Sequence, residues 1–162
     1  LFAVFKTVGA LALFTASVLF GYREYFCICC RRRFFEETVS AIKITQGMLR
    51  CRCAPLDECF LQSGGIFKKA ARYIEEQIPP TDAVKRAARE EPLLKDEERE
   101  HFYFFADGLC AEDCAGQMAN AALFESMMEG CYKKAAEEVG QRGVLALRGS
   151  VLLGCAVVIL LL

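Results

Sequence analysis

Residues 2–20 read FAVFKTVGALALFTASVLF, and residues 144–162 read VLALRGSVLLGCAVVILLL. Each stretch contains one charged side chain, Lys6 in the first and Arg148 in the second. About 20 apolar residues make a helix long enough to cross the hydrocarbon core of a bilayer. A cleaved signal peptide is the alternative for the first stretch, but residues 21–26, GYREYF, are unlike a small-x-small cleavage site. The two stretches therefore predict two retained transmembrane helices.

Nearly all of the charge lies between these two spans. The chain has 162 residues, with 20 Lys and Arg and 21 Asp and Glu, and all of these except Lys6 and Arg148 fall between Arg23 and Arg142. This length suits one domain. A net charge of −1 does not favour nucleic acid as a partner. We expect spans at 2–20 and 144–162 and one water-facing domain at 31–140.

Basic residues flank both spans on the side of the middle segment. Arg23 and residues 31–33, all arginine, follow the first span, and Lys133, Lys134 and Arg142 precede the second. Short segments rich in Lys and Arg stay on the cytoplasmic side of a membrane. Residues 31–33 could also be a solvated helix start, but their charge would bias insertion in the same way. The middle segment is therefore predicted to be cytoplasmic.

Apolar positions in the middle segment recur at helical spacing, and no alternating apolar and polar run predicts a strand. The expected fold class is all-α: an antiparallel helical bundle flanked by two transmembrane helices. Predicted helices lie at about 33–50, at 56–62, between Gly65 and Pro79 with a stripe reaching Ile78, from a cap at Thr81 or Asp82 to about Glu91, from Asp96 to Gly108, and from Ala111 or Glu112 to Val139. Gly140 and Gly143 should loosen the join to the second span.

Two apolar stripes are expected to cover each other in this bundle. Phe67, Ala71 and Ile74 share one face of the third predicted helix, and Phe124 and Met128 share one face of the last. Because both stripes need apolar cover, the two helices should pack together.

Two further patterns concern single helices. Residues 101–105, HFYFF, could suggest a ligand site, but at helical spacing only two or three of these side chains can face the same way. Core packing is the better interpretation of this run. Glu129 and Lys133 stand four residues apart, a spacing that predicts an ion pair on the helix surface.

The sequence contains none of the common catalytic or nucleotide-binding motifs, and it has one histidine. We therefore predict no enzyme activity, no small-molecule substrate, and no catalytic, cofactor-binding or metal-binding residues. Ten cysteines are the unusual feature, at positions 27, 29, 30, 51, 53, 59, 110, 114, 131 and 155. Reducing conditions in a cytoplasm argue against disulfides. Packing is the simplest explanation, and zinc binding, acylation next to the membrane or a redox role remain alternatives.

Four short motifs carry a family resemblance. They are APLDECF at 54–60, LKDEER at 94–99, FADGL at 105–109 and DCAGQ at 113–117. Their order, together with a first span with a basic exit and a Gly-containing, leucine-rich final span, resembles the stage III sporulation protein AB family of endospore-forming bacteria. The resemblance covers nearly all of the chain.

This resemblance implies a cytoplasmic helical domain similar to those of type II secretion inner-membrane platform proteins. It further implies residence in the outer forespore membrane, with the middle segment in the mother-cell cytoplasm. The implied partners are a secretion-type ATPase, stage III sporulation protein AA, and the other subunits of the same channel complex, with membrane lipid around the spans. The expected function is a non-enzymatic platform that couples the ATPase to the channel. A thiol metal-binding or redox membrane protein is the alternative.

Charged residues that the apolar stripes do not need are the candidates for partner binding. The first group is the acidic start of the fifth predicted helix, and the second is the loop that follows this helix. We expect a partner to contact Asp96, Glu97, Glu98, Glu100, Asp113 and Gln117. A solvated helix start stabilised by the helix dipole is the alternative interpretation of the acidic group.

Overall fold

The structure is a computed structural model that describes residues 2–52, 56–109 and 114–161, with described side chains at 8–50, 58–109 and 115–160. All regular elements within these ranges are helical, which confirms the all-α fold class. The α-helices are α1 Phe2–Arg52, α2 Leu56–Ser63, α3 Gly65–Glu75, α4 Pro80–Arg89, α5 Asp96–Gly108, α6 Cys114–Glu138 and α7 Val144–Leu161. A π-helical turn, Val139–Gly143, joins α6 to α7.

The first helix differs from the prediction of a span followed by a separate helix. Helix α1 is one element from Phe2 to Arg52. Residues 2–52 contain no proline, and a glycine inside a helix costs only about 1 kcal/mol relative to alanine. The helical backbone hydrogen bonds therefore continue past the point where apolar side chains on all faces of the helix give way to apolar side chains on one face.

The chain forms two compact units. One comprises Leu1–Arg32 with Lys134–Leu162, and the other comprises Arg33–Lys133. We call them the span unit and the helical unit. The domain division at 2–20, 31–140 and 144–162 stays a prediction.

The span unit contains the most apolar helical segments. Two helical stretches, Val8–Arg50 and Ala115–Leu160, contain segments long and apolar enough to cross a membrane. Only 6% of the segment in the first stretch and 11% of that in the second are buried. The core helix of a soluble protein would be mostly buried, so the exposed apolar side chains indicate membrane association.

Short breaks in the chain set the ends of α2, α3 and α4. Helix α2 ends before Gly64, whose φ of 80° lies in the left-handed region that suits glycine. Helix α3 ends at Glu75, before the predicted end, so Ile78 lies beyond it. The predicted caps Thr81 and Asp82 are wrong, because α4 begins at Pro80. Proline suits a first helical position, where its missing N–H would have no helical partner.

Five phenylalanines form the centre of the helical unit. Phe60, Phe67, Phe102, Phe105 and Phe124 are each at most 1% exposed. The Phe124 ring centroid lies 4.5 Å from that of Phe105, 5.0 Å from that of Phe102 and 6.2 Å from that of Phe67. These contacts place α3, α5 and α6 around one apolar core.

The predicted packing of α3 against the long helix is confirmed in part. Phe67 contacts Phe124, and Ala71 and Met128 are both buried. Ile74 is only half-buried, so it contributes less to the core than predicted. The prediction for residues 101–105 is confirmed, because Phe102 and Phe105 enter the core while the other three side chains are exposed or half-buried.

Ion pairs and a hydrogen bond fix α6 beside α1. Lys43 Nζ lies 3.3 Å from Glu125 Oε1 and 3.1 Å from Glu129 Oε1. Gln46 Nε2 donates to Glu125 Oε2 at 2.8 Å. The predicted pairing of Glu129 with Lys133 is wrong. Glu129 pairs with Lys43 instead, because α1 packs beside α6 and brings Lys43 Nζ within 3.1 Å of Glu129 Oε1.

Candidate docking surface

The acidic start of α5 is built from local hydrogen bonds. The backbone N–H of Lys95, just before the helix, donates to Glu98 Oε2 at 2.8 Å. Arg99 Nη1 donates to Asp96 Oδ1 at 2.6 Å. Carboxylates stabilise a helix start because they face its unpaired N–H groups and the positive end of its dipole. Glu98 therefore stabilises the start of α5, and Asp96 forms an ion pair with Arg99.

The remaining acidic side chains lie on the outer face of α5. Glu97 and Glu100 are both exposed, and neither forms an ion pair with any residue that the structure describes. Phe104 lies four residues after Glu100 and is 53% exposed. The spacing places Glu97, Glu100 and Phe104 on one side of the helix. We call these three residues the α5 face.

A further acidic residue, Asp107, borders the α5 face. Asp107 lies three residues after Phe104, and its carboxylate is 2.5 Å from Lys85 Nζ of α4. The Asp107 side chain is still 64% exposed despite this ion pair. An exposed aromatic ring with acidic neighbours resembles the centre and rim of a protein interface.

The predicted contact residue Gln117, on α6, lies away from the α5 face. Asn120 Nδ2 donates to the carbonyl oxygen of Phe105 at 2.8 Å, and Phe124 contacts Phe102 and Phe105, so α5 and α6 run antiparallel. Gln117, half-buried and three residues before Asn120, therefore lies near the carboxyl end of α5. About 11 residues of helix, or roughly 17 Å, separate this end from Glu97.

The structure therefore does not bring the predicted contact residues together on one surface. Asp96, Glu97, Glu98 and Glu100 share the start of α5, and Gln117 lies at the opposite end of this helix. Asp113 lies outside the described residues. Phe104 was not among the predicted contact residues, although its spacing from Glu97 and Glu100 could have indicated it.

A second polar cluster joins α3 to α4. Tyr73 Oη donates to Glu90 Oε2, and Arg86 Nε donates to Glu90 Oε1 at 3.1 Å. The Arg86 guanidinium carbon lies 4.5 Å from the centre of the Tyr73 ring. The hydrogen bond from Tyr73, followed by that from Arg86, lowers the pKa of Glu90 from its ordinary value. The same bond raises the pKa of Tyr73. These groups satisfy one another, so the cluster is structural.

A groove of about 310 Å³ lies between α1 and α6, with Val39 and Tyr132 in its lining. This volume is at the lower end for small-molecule sites. Of the two lysines in its lining, Lys43 donates hydrogen bonds to Glu129 and Glu125, and these bonds raise the pKa of Lys43. Glu36 and Lys133 also line the groove, so it carries charge of both signs.

The cysteines with described side chains comprise one local group on α1 and three isolated positions. Cys59 and Cys131 are buried in the helical unit, and Cys155 is exposed on α7. Cys27 is exposed on α1, and Cys29 and Cys30 beside it are half-buried. Cys51, Cys53, Cys110 and Cys114 lie outside the residues whose side chains are described. Among the described residues, no group of three or more His, Cys, Asp or Glu side chains could hold a metal ion.

These observations define a class of protein: an all-α protein with two apolar helices suited to a membrane and a helical unit that presents an acidic face with one exposed aromatic ring. The family model for stage III sporulation protein AB matches residues 6–162. The chain therefore belongs to the stage III sporulation protein AB family, as its resemblance indicated. No curated protein and no solved structure matches it.

Proposed function

We propose that this stage III sporulation protein is a non-enzymatic membrane platform that couples a cytoplasmic secretion-type ATPase to a channel complex between mother cell and forespore. The ATPase is of the stage III sporulation protein AA type, and the other subunits of the complex are further partners. The span unit anchors the chain in the outer forespore membrane. The helical unit, similar to those of type II secretion platform proteins, lies in the mother-cell cytoplasm.

The single observation that carries this proposal is the α5 face. Phe104 is exposed, whereas Phe102 and Phe105 on the same helix are buried in the core. A partner can therefore cover Phe104 without disturbing the core. Glu97 and Glu100 have no internal ion pair within the described chain, so they are available to a basic surface. Charged rims of this kind speed association, and buried aromatic anchors hold the complex together.

Membrane placement is supported by the exposed apolar helices and by the basic residues beside them. Arg31 pairs with Glu138 at 3.1 Å, but Arg23 and the exposed Lys134 remain close to the ends of the spans. Basic residues at these positions favour the cytoplasmic side. In the proposed orientation, the α5 face lies in the compartment where an ATPase would operate.

The experiment that tests the function measures binding of a purified ATPase of the stage III sporulation protein AA type to the full chain in lipid nanodiscs. Phe104→Ala should weaken binding about tenfold or more, because losing an interface anchor costs roughly 1.4 kcal/mol or more. The double substitution Glu97→Lys and Glu100→Lys should weaken binding mainly at low salt, since salt screens exposed charges.

The matched control is the double substitution Glu75→Lys and Glu76→Lys at the exposed end of α3, which changes the net charge by the same amount. It should leave the affinity nearly unchanged. Equal losses for the α5 and α3 variants would mean that net charge, and not the α5 face, governs binding. Full affinity in Phe104→Ala would remove the proposed anchor.

A further inference from the structure

The two apolar helices of the span unit pack together at glycines. A Cβ atom added to Gly21 would lie 2.0 Å from Ser150 Oγ, and one added to Gly154 would lie 2.9 Å from the Phe14 ring. Ser17 Oγ donates to the carbonyl oxygen of Ser150 at 2.7 Å. The internal pairing of α1 and α7 thus explains why small residues stand at positions 21 and 154.

Gly149 has no such explanation within this chain. A Cβ atom added to Gly149 would meet nothing within 4 Å. A glycine inside a helix is less favourable than alanine by about 1 kcal/mol, so the pairing of α1 with α7 gains nothing from it. Gly149 leaves the helix backbone open at the surface, where a neighbour could approach closely.

Gly149 lies in a groove of about 540 Å³ formed by α1 and α7. Phe20 and Leu153, 64% and 63% exposed, are part of its lining. Leu13 and Glu24 also line the groove, and the 11-position separation between them corresponds to about 17 Å of helix. The groove is therefore apolar, about three helical turns long, and lined by small residues: Ala16, Gly21, Ala146 and Gly149.

One end of the groove carries a carboxylate. Glu24 is exposed and is the only acidic residue between residues 2 and 35. It forms no ion pair with any residue in the described part of the chain. Glu24 follows Arg23 beyond the predicted span at 2–20, so a basic side chain at the matching end of a partner helix would complement it.

We propose that this groove is the docking site for a transmembrane helix of a different protein, which carries Lys or Arg level with Glu24. Small residues on helix surfaces allow backbones to approach closely, which is how helices associate in lipid. A lipid chain could fill the groove, but it would gain nothing from a glycine. A second copy paired by twofold symmetry would present the same concave surface, so two grooves would not fit each other.

The inference rests on the membrane placement in the proposed function. It is tested with a photoreactive amino acid at Phe20 or Leu153 of the full chain in sporulating cells. The expected product is an adduct whose crosslinked peptide is an apolar helix with a Lys or Arg at one end. A photoreactive residue at Leu152, which is 70% exposed outside the groove, is the positional control and should give at least about fivefold less of this adduct.

Two variants test the shape and charge of the groove. Gly149→Leu should lower the yield of the adduct about tenfold, because it fills the groove. The matched control, Gly9→Leu, also adds a side chain where nothing lies within 4 Å, and it should not change the yield. Glu24→Lys should abolish the adduct, and reversing the partner's basic residue to Glu should restore it.

Adducts with lipid only, adducts with a second copy of the chain, or equal yields at Leu152 would overturn the proposal. ATPase binding by the same membranes separates this failure from failure of the proposed function. If binding persists while the groove adduct is absent, only the groove inference is wrong. If the chain is extracted from membranes at alkaline pH and binds no ATPase, the membrane platform itself is wrong.

Discussion

Phe124→Ala should remove the centre of the helical unit. The Phe124 side chain is fully buried, and it contacts the rings of Phe67, Phe102 and Phe105. Truncation of a buried phenylalanine costs about 3–5 kcal/mol. Aromatic pairs add about 0.5–1.5 kcal/mol each beyond the buried area. The three partner rings are held on α3 and α5, so the cavity left by the substitution cannot collapse easily. We therefore expect a loss of unfolding free energy in the upper half of the range of about 3–5 kcal/mol.

The measurement is thermal unfolding of the full chain in detergent micelles, followed by circular dichroism. For a unit of about 100 residues, each kcal/mol shifts the midpoint by roughly 4–8 °C, so Phe124→Ala should lower it by about 16 °C or more. The control is Phe104→Ala, an identical truncation of an exposed ring, which should cost at most about 0.5 kcal/mol. Similar shifts in the two variants would refute the placement of Phe124 in the core and of Phe104 outside it.

Three further predictions follow from local contacts. Gly108→Ala should lower the free energy of unfolding by about 1–3 kcal/mol, because the added Cβ would lie 2.3 Å from Asn120 Cγ. Adding Asn120→Ala should recover part of this loss, as measured by thermal unfolding. Tyr73→Phe removes the hydrogen bond that lowers the pKa of Glu90. The contribution of Glu90 to stability is present above its ordinary pKa of 4.5. This contribution is lost as the pH falls through the lower pKa of Glu90 in the folded protein. The difference in melting midpoint between wild type and Tyr73→Phe should therefore be largest near neutral pH and should vanish in acid; a difference that grows in acid would contradict this. Glu97→Cys should add no labelling by a membrane-impermeant maleimide in intact cells and should label after permeabilisation, whereas labelling before it would reverse the predicted topology.

The ends of several helices could be predicted because the residues that set them act locally. Gly64 permits the left-handed turn after α2, and Gly108 is the last residue of α5, as expected. The start of α5 at Asp96 also follows from its first-turn carboxylates. In each case, the controlling residue lies within one turn of the boundary that it sets.

Contacts between helices could not be predicted in the same way. The spacing of Glu129 and Lys133 satisfies a rule for neighbours on one helix, but Lys43 on α1 takes the carboxylate. The sequence shows a run of aromatic residues at 101–105, but it does not fix the rotation of α5 in the bundle. That rotation decides that Phe105 enters the core and Phe104 does not, and it depends on residues far away in the chain, such as Phe124.

The rotation of α5 separates the residues that make structural contacts from those of the α5 face. Glu98 closes the helix start, and Asp96 and Asp107 pair with Arg99 and Lys85. The α5 face carries none of these structural contacts. Substitutions on it should therefore alter binding without altering stability, while substitutions of the buried rings should do the reverse. A platform protein must keep its core packed while a partner binds and leaves. Helix α5 meets this requirement if core packing and partner contact use different sides of the helix. The core that fixes the rotation of α5 also holds Phe104 outward.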